Sequence, residues 1–402
     1  MKDALFGKTE SELKEIALEL GLPKYTGRQM AQWLYHKEVA DISQMTNVSK
    51  KARAALAEHY VVGRTAPKKV TVSSDGTKKY LYGTGVPTDA PAGTPGAVAA
   101  AATGATAEAS AGQVPNAARG AAAPTAGEQG GQAGGAARDP LSDFRYVEAA
   151  YIPETDRATL CLSTQVGCKM GCLFCMTGKQ GFQGQLTAGE IVNQLASLPE
   201  RESVTNIVYM GMGEPLDNVE AVLKSLEILT SDWGYGMSPR RITVSTIGVI
   251  PGMRAFLDNS NAHLAVSVHS PFDEERRQLM PVQHVYPLSD VLDLVRSYEL
   301  SKSRRISFEY IVFGGLNHSQ AHVKELSRLL HGIRARINLI HFHSIPDTPL
   351  KPASEEQMLD FQKRLQDKGI PTTIRRSRGQ DVQAACGMLS TKELLGQGQE
   401  DF

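Results

Sequence analysis

An excess of charge of either sign is missing from this chain: 43 Lys and Arg balance 43 Asp and Glu across 402 residues. That excludes the global electrostatic footprint of a nucleic-acid binder and leaves only local ones. Long apolar runs are missing too. The longest charge-free apolar stretch is alanine-rich and holds no leucine, so no membrane helix is expected. The opening residues, MKDALFGKTESELKE, carry charges throughout, unlike a secretory signal, and a cytoplasmic protein is expected. Cysteine is scarce. Five in a chain of this length cannot build a disulfide framework and point instead to metal-binding or catalytic thiols. Hydrophobic content is ordinary at 41%, so a sizeable core is available, and the length suggests two or three domains.

Residues 1–68 read as a small helical domain. Ser11–Leu20 has apolar residues at helical spacing and stops at Gly21-Leu22-Pro23; further amphipathic stretches run over Gly27–Tyr35 and Ser49–Tyr60. Residues 1–80 carry 14 Lys/Arg against 9 Asp/Glu, either a solvated helical face or a docking surface for phosphates. Residues 69–84 read as a hairpin turning at Asp75-Gly76. Residues 85–138 break the pattern: they hold 20 Ala and 11 Gly but no Leu, Ile, Met or aromatic residue. Such a segment cannot bury enough apolar area to offset its ordering entropy, so a disordered insert is expected over 85–140. A strand pattern at 143–152 resumes ordinary sequence, so the insert is expected to loop out between two paired strands.

From residue 141 to 392, β-rich runs at 206–210, 242–245, 264–268, 306–312 and 337–340 alternate with helical stretches at 187–198, 219–229, 288–298, 321–330 and 354–368. That alternation implies βαβ units and a parallel sheet, here a full or partial barrel, followed by a tail at 393–402. Sites of such sheets lie at the C-terminal ends of the strands.

Four cysteines fall close together: Cys161, Cys168, Cys172 and Cys175. The last three form C-x3-C-x2-C within VGCKMGCLFCMTG, and no histidine lies in 141–200. A structural zinc site wants four ligands, and Cys161 as the fourth would give an unusual spacing. Three thiolates on one loop suit a [4Fe–4S] cluster whose fourth iron stays open for a small-molecule ligand. The spacing, with Phe174 before the last cysteine, is the signature of the radical S-adenosylmethionine superfamily, whose cluster reduces that sulfonium to a 5′-deoxyadenosyl radical. Downstream, Tyr209–Pro215 (YMGMGEP) offers Gly213 for close backbone approach and Glu214 for the substrate ammonium. Ser245, Ser267, Val268 and His269 lie at the ends of later strands, as candidates for the ribose and carboxylate.

These blocks, with VEAAYIP at 147–153, ATLCLSTQVGCKMGCLFC at 158–175, GMGEPL at 211–216 and RSRGQDVQAACGML at 376–389, resemble the radical RNA methyltransferases of the RlmN type. The resemblance covers residues 1–84 and about 141–392. It implies an α/β fold: a partial (β/α)6 radical-SAM barrel with a small N-terminal helical domain. It implies methylation of adenosine C2 in 23S ribosomal RNA and in transfer RNA beside the anticodon, with S-adenosylmethionine and one [4Fe–4S] cluster held by Cys168, Cys172 and Cys175. Cys386 would carry the methyl group, Cys161 would resolve the RNA adduct through a transient disulfide with Cys386, and Glu148 would accept a proton. An electron donor such as flavodoxin and a monomeric state are also implied. Where the family has an asparagine against S-adenosylmethionine, this chain has His343, to which the contact is carried over.

The same thiols would serve an adenosine-C8 methyltransferase of the resistance type. From another class, a non-catalytic, zinc-containing RNA-binding module needs no relay. RNA contact is expected from Arg240-Arg241, Lys302 with Arg304-Arg305, Arg334 with Arg336, and Arg375-Arg376 with Arg378, on loops around a barrel mouth.

Overall fold

A computed structural model of the chain describes residues 2–37, 39–87, 144–298, 304–379 and 381. Beyond Pro87 the alanine-rich insert lies outside them, as do Lys302, Cys386 and the tail.

The N-terminal part holds β1 (Asp3–Ala4), α1 (Glu10–Glu19), α2 (Tyr25–Tyr35), α3 (Lys50–His59) and β2 (Tyr60–Val61). Thr9 caps α1. Its hydroxyl accepts from the Glu12 N–H at 3.2 Å while the Glu12 carboxylate accepts from the Thr9 N–H at 2.7 Å, a reciprocal cap that starts the helix one turn before its apolar stripe. Leu13, Ile16 and Ala17 of α1 close on Met30, Ala31 and Leu34 of α2. The two short strands pair in parallel, a feature no periodicity in residues this few could announce.

The rest is built on one sheet. In chain order it comprises β3 (Lys69–Val72), β4 (Lys78–Pro87), β5 (Phe144–Pro153), β6 (Ala158–Cys161), a side hairpin of β7 (Gln165–Gly167) and β8 (Phe182–Gln185) around α4 (Met176–Lys179), then α5 (Ala188–Ala196), β9 (Asn206–Tyr209), α6 (Val219–Thr230), β10 (Ile242–Thr246), α7 (Ile250–Asn259), β11 (His263–Ser267), α8 (Asp273–Leu279), α9 (Leu288–Ser297), β12 (Ile306–Val312), α10 (Gln320–Leu329), β13 (Ala335–His341), α11 (Glu355–Asp367) and β14 (Thr372–Ile374). The ten-stranded order is β14-β13-β12-β11-β10-β9-β6-β5-β4-β3. From β6 to β14 every pairing is parallel, joined by six helical crossovers, and β5, β4 and β3 extend the sheet antiparallel. The sheet has two edges, so the barrel is partial. The Tyr82–Val147 and Pro87–Phe144 pairings bring the two sides of the insert together at one hairpin end.

Strand alternation divides the sheet into two faces. Leu160, Ile207, Tyr209, Val244, Leu264, Val266, Phe308, Tyr310 and Leu339 pack beneath the helices. The other face carries Lys79, Glu148, Cys161, Ser245, Ser267, Glu309 and Asn338, a polar interior no soluble core would choose. Helix α5 couples the parts. Val192 and Ala196 enter the N-terminal core, Ile191 and Leu195 enter the main one, and the Asn193 amide donates to the Thr65 carbonyl at 2.8 Å.

Periodicity does not announce helices α7 and α8. Pro251 and Gly252 read as a turn, yet Pro suits a first turn and the glycine has a packing cause. A Cβ on Gly252 would stand 2.0 Å from the Leu216 carbonyl oxygen. Among the described residues no helix is long and apolar enough to cross a membrane.

Candidate active site

The loop between β7 and α4 carries Cys168, Cys172 and Cys175, at the C-terminal end of β6. Cys168 and Cys172 are each 7% exposed, and Cys175 opens α4. The Leu173 N–H donates to the Leu279 carbonyl at 3.0 Å, docking the loop on the end of α8. Burial, and then the neighbouring cysteines, push the Cys168 and Cys172 thiols well up. Thiols held protonated this firmly become ligands only against compensating positive charge, which irons supply. Among the described residues no three His, Cys, Asp or Glu side chains close on a single metal ion. A cluster takes each of three thiolates on a different iron, and the three cysteines lie on one loop. The donor set therefore fits the iron–sulfur group.

Beside the loop, Arg276 of α8 is fully buried. Its guanidinium donates to the Gln283 side chain, to the Ile247 carbonyl at 2.9 Å and to the Ser267 carbonyl at 3.3 Å. It thereby ties together the C-terminal ends of β10 and β11. Burial lowers its pKa to about 10 and Cys172 opposes that fall. Sequence reasoning missed it, because Arg276-Arg277 looks like a solvated pair.

Gly213 follows β9 at φ 97°, and a Cβ there would meet Gln165 Cβ at 2.5 Å, so only glycine passes. Glu214 beside it is 3% exposed and accepts from the Leu216 and Ile247 N–H groups, both at 3.0 Å. Burial outweighs these bonds and raises its carboxyl to about 7. Gln165, unnoticed in the sequence, accepts from the Glu214 N–H at 2.8 Å and donates to Asp217 at 2.8 Å. Ser245 and Ser267 are half-buried on the polar face. Val268 is buried, and its N–H donates to the Glu309 carbonyl at 2.9 Å. His269 takes a left-handed φ of 57°, which costs energy in a non-glycine residue and is held by its neighbours. Its Nδ1 accepts from the Ile311 N–H at 2.9 Å, Asn317 donates to its carbonyl at 2.6 Å, and its ring meets Phe174 edge-on at 4.7 Å. Burial, then Arg276, lowers His269 to about 3, so the ring is neutral with its proton on Nε2.

Cys161 and Glu148 share the polar face. Ala150 pairs with Cys161, and Glu148 lies two residues from Ala150 along β5, on the same face. Glu148 meets Lys79 Nζ at 2.6 Å. His343 lies past β13 in an open cleft of about 780 Å³ that it lines with His341, Phe342, Arg375, Arg376 and Arg378; burial lowers its pKa. Toward Cys386, which is outside the described residues, the chain is pinned to the β3–β4 turn. The Gly379 N–H donates to Asp75 at 2.9 Å and Asp381 accepts from the Ser74 N–H at 2.9 Å.

The arginine clusters are not all where they were expected. Arg240-Arg241, Arg304-Arg305 and Arg334 with Arg336 precede or begin β10, β12 and β13, at the N-terminal ends of the strands and opposite the cysteine loop. Arg304 stacks on Phe256 at 4.9 Å and is structural. Only Arg375, Arg376 and Arg378 follow a strand on the site side.

The comparisons with known proteins agree with this geometry. The radical SAM superfamily matches residues 162–330, and the ribosomal RNA large subunit methyltransferase N-terminal domain matches residues 4–62. A probable dual-specificity RNA methyltransferase RlmN of Parabacteroides distasonis is 48% identical over 97% of each chain. The dual-specificity RNA methyltransferase RlmN of Desulfotalea psychrophila is 36% identical over 97% of this chain and 95% of its own. The crystal structure of a radical SAM methyltransferase from Sphaerobacter thermophilus superposes with a TM-score of 0.75 at 33% identity, covering 96% of this chain and 98% of that one. A non-catalytic zinc module is thereby set aside. With a cysteine loop suited to an iron–sulfur cluster and a fold shared along nearly its whole length, the chain belongs to the RlmN family of radical S-adenosylmethionine RNA methyltransferases.

Proposed function

We propose that this enzyme methylates C2 of an adenosine in 23S ribosomal RNA and of the adenosine beside the transfer-RNA anticodon. The names of its relatives, which call them dual-specific RNA methyltransferases, support two RNA substrates. Cys168, Cys172 and Cys175 would hold one [4Fe–4S] cluster. When bound and reduced by a small electron carrier, that cluster supplies the electron that cleaves S-adenosylmethionine to the 5′-deoxyadenosyl radical. Gly213, Glu214, Ser245, Ser267, Val268, His269 and His343 surround the cosubstrate, with Glu214 taking its ammonium.

An electron-poor aromatic carbon does not accept a methyl cation, so the group is relayed. The Cys386 thiolate displaces it from a first S-adenosylmethionine. Abstraction of a hydrogen atom from the methyl group on that sulfur then leaves a methylene radical that joins C2. The adduct radical gives back the one electron that cleavage consumed and Glu148 takes its C2 proton. The Cys161 thiolate then attacks the Cys386 sulfur, breaking its bond to the methylene carbon, which takes up a proton to become the methyl group as the RNA leaves and a Cys161–Cys386 disulfide remains. The observation that carries this reading is the β5–β6 register: it gives Glu148 and Cys161 one polar face at the foot of the cysteine loop. The target base must leave its stack to reach that face, and the Arg375, Arg376 and Arg378 cleft suits the adjoining phosphates.

Mass spectrometry of protein purified anaerobically with its cluster tests the relay. One added methyl group on the Cys386 peptide is expected. A Cys386 that stays unmodified after incubation with S-adenosylmethionine overturns it. Cys161→Ala is expected to leave enzyme crosslinked to RNA, and an inactive variant free of RNA would refute the resolving role.

A further inference from the structure

Adjacent lysines in β4 have opposite fates. Lys78 turns to the helix-covered face and pairs with Glu200 at 2.5 Å. Lys79 turns to the polar face, where its side chain is 2% exposed, and meets the equally buried Glu148 at 2.6 Å. In register, Lys79 pairs with Ala150 and Ala150 with Cys161, so lysine, alanine and cysteine form one row across three strands. Leu81 pairs with Glu148, making the ion pair a diagonal cross-strand contact. Lysine is almost never buried without a partner, and a buried ion pair gives the fold no more than a well-packed apolar pair would. Its presence on the reactive face therefore asks for a reason other than stability.

We propose that Lys79 is a positioning residue for proton removal: its ammonium holds the Glu148 carboxylate in place on the face it shares with Cys161. The inference rests on the reading of Glu148 as the proton acceptor. A carboxylate buried on this face without the Lys79 contact would lose the group that fixes its place, and proton removal from the RNA adduct would stall. Steps before the adduct do not use Glu148 and should not notice Lys79.

The experiment compares Lys79→Met, Lys79→Gln, Lys79→Arg and Glu148→Gln as full-length, cluster-loaded proteins, using a transcript of the 23S ribosomal RNA target. Four readouts are taken: iron and sulfide content, methylation of Cys386, formation of 5′-deoxyadenosine, and protein–RNA adduct on denaturing gels. K79M is expected to retain the first three and to accumulate adduct as E148Q does, with RNA release slowed at least tenfold. K79R, which keeps the charge, is expected to restore release. Loss of all four readouts together in K79M and K79Q would assign Lys79 to the fold and overturn the proposal. K79Q keeps an N–H donor toward Glu148 but no charge, so it guards against K79M failing to fold: adduct in K79Q supports the proposal. Release at the wild-type rate by K79M or K79Q, while E148Q traps adduct, overturns the role of Lys79 alone. Normal release by E148Q overturns the reading of Glu148 and this inference with it.

Discussion

Glu214 offers a test of the cosubstrate site that needs no turnover. Its carboxyl is buried and raised from 4.5 to about 7, chiefly by desolvation. A shift of that size corresponds to about 3 kcal/mol. Because the folded value lies above the unfolded one, this stability is fully present below pH 4.5 and is lost as pH rises through about 7. Glu214→Gln removes the titration. Urea unfolding of the cluster-free chain between pH 4.5 and 8 should show the wild type losing about 3 kcal/mol relative to E214Q. Binding runs the other way, since an ammonium needs the carboxylate. In a Cys386→Ala background, where no methyl is consumed, the wild-type Kd for S-adenosylmethionine should rise about tenfold for each pH unit below 7. E214Q should bind about 10- to 100-fold more weakly at pH 8, the worth of a charge-assisted hydrogen bond, with a flat pH profile. Equilibrium dialysis under anaerobic, oxidised conditions measures both. A wild-type Kd unchanged between pH 8 and 5.5 would refute the contact between Glu214 and the ammonium.

Gly252→Ala should lower the melting temperature by several degrees. Its Cβ would stand 2.0 Å from the Leu216 carbonyl, and overpacking of about 1–3 kcal/mol exceeds the helix-propensity gain of up to about 1 kcal/mol; an unchanged Tm would refute the close approach. Replacing residues 88–143 by a short turn between β4 and β5 should leave RNA methylation near wild type and add stability on the order of 2 kcal/mol from the shortened loop, and a large loss of activity would show that the insert has a role. Asp381→Ala frees the segment that leads to Cys386 from the β3–β4 turn and should slow methylation of Cys386 with cluster content unchanged; an equal rate in timed mass spectra would exclude the anchor.

Much of this enzyme was determined by local sequence. The spacing of Cys168, Cys172 and Cys175 is a property of one loop, and the βα alternation from β9 to β13 is a property of periods 2 and 3.6, so both were legible without tertiary information. Short elements were not. Helix α7 hides behind Pro251 and Gly252, and α8 looks like a charged turn because its buried arginine has no apolar stripe around it. What folding alone decided is facing. Lys78 and Lys79 are identical in composition, and only the β4–β5 register sends one to Glu200 and the other to Glu148. The arginine pairs are equally alike in sequence, and the parallel direction of the strands assigns most of them to the end away from the cysteine loop. A strand's chemistry is written in its residues, but which face and which end of the sheet that chemistry serves depends on hydrogen-bond partners far away along the chain.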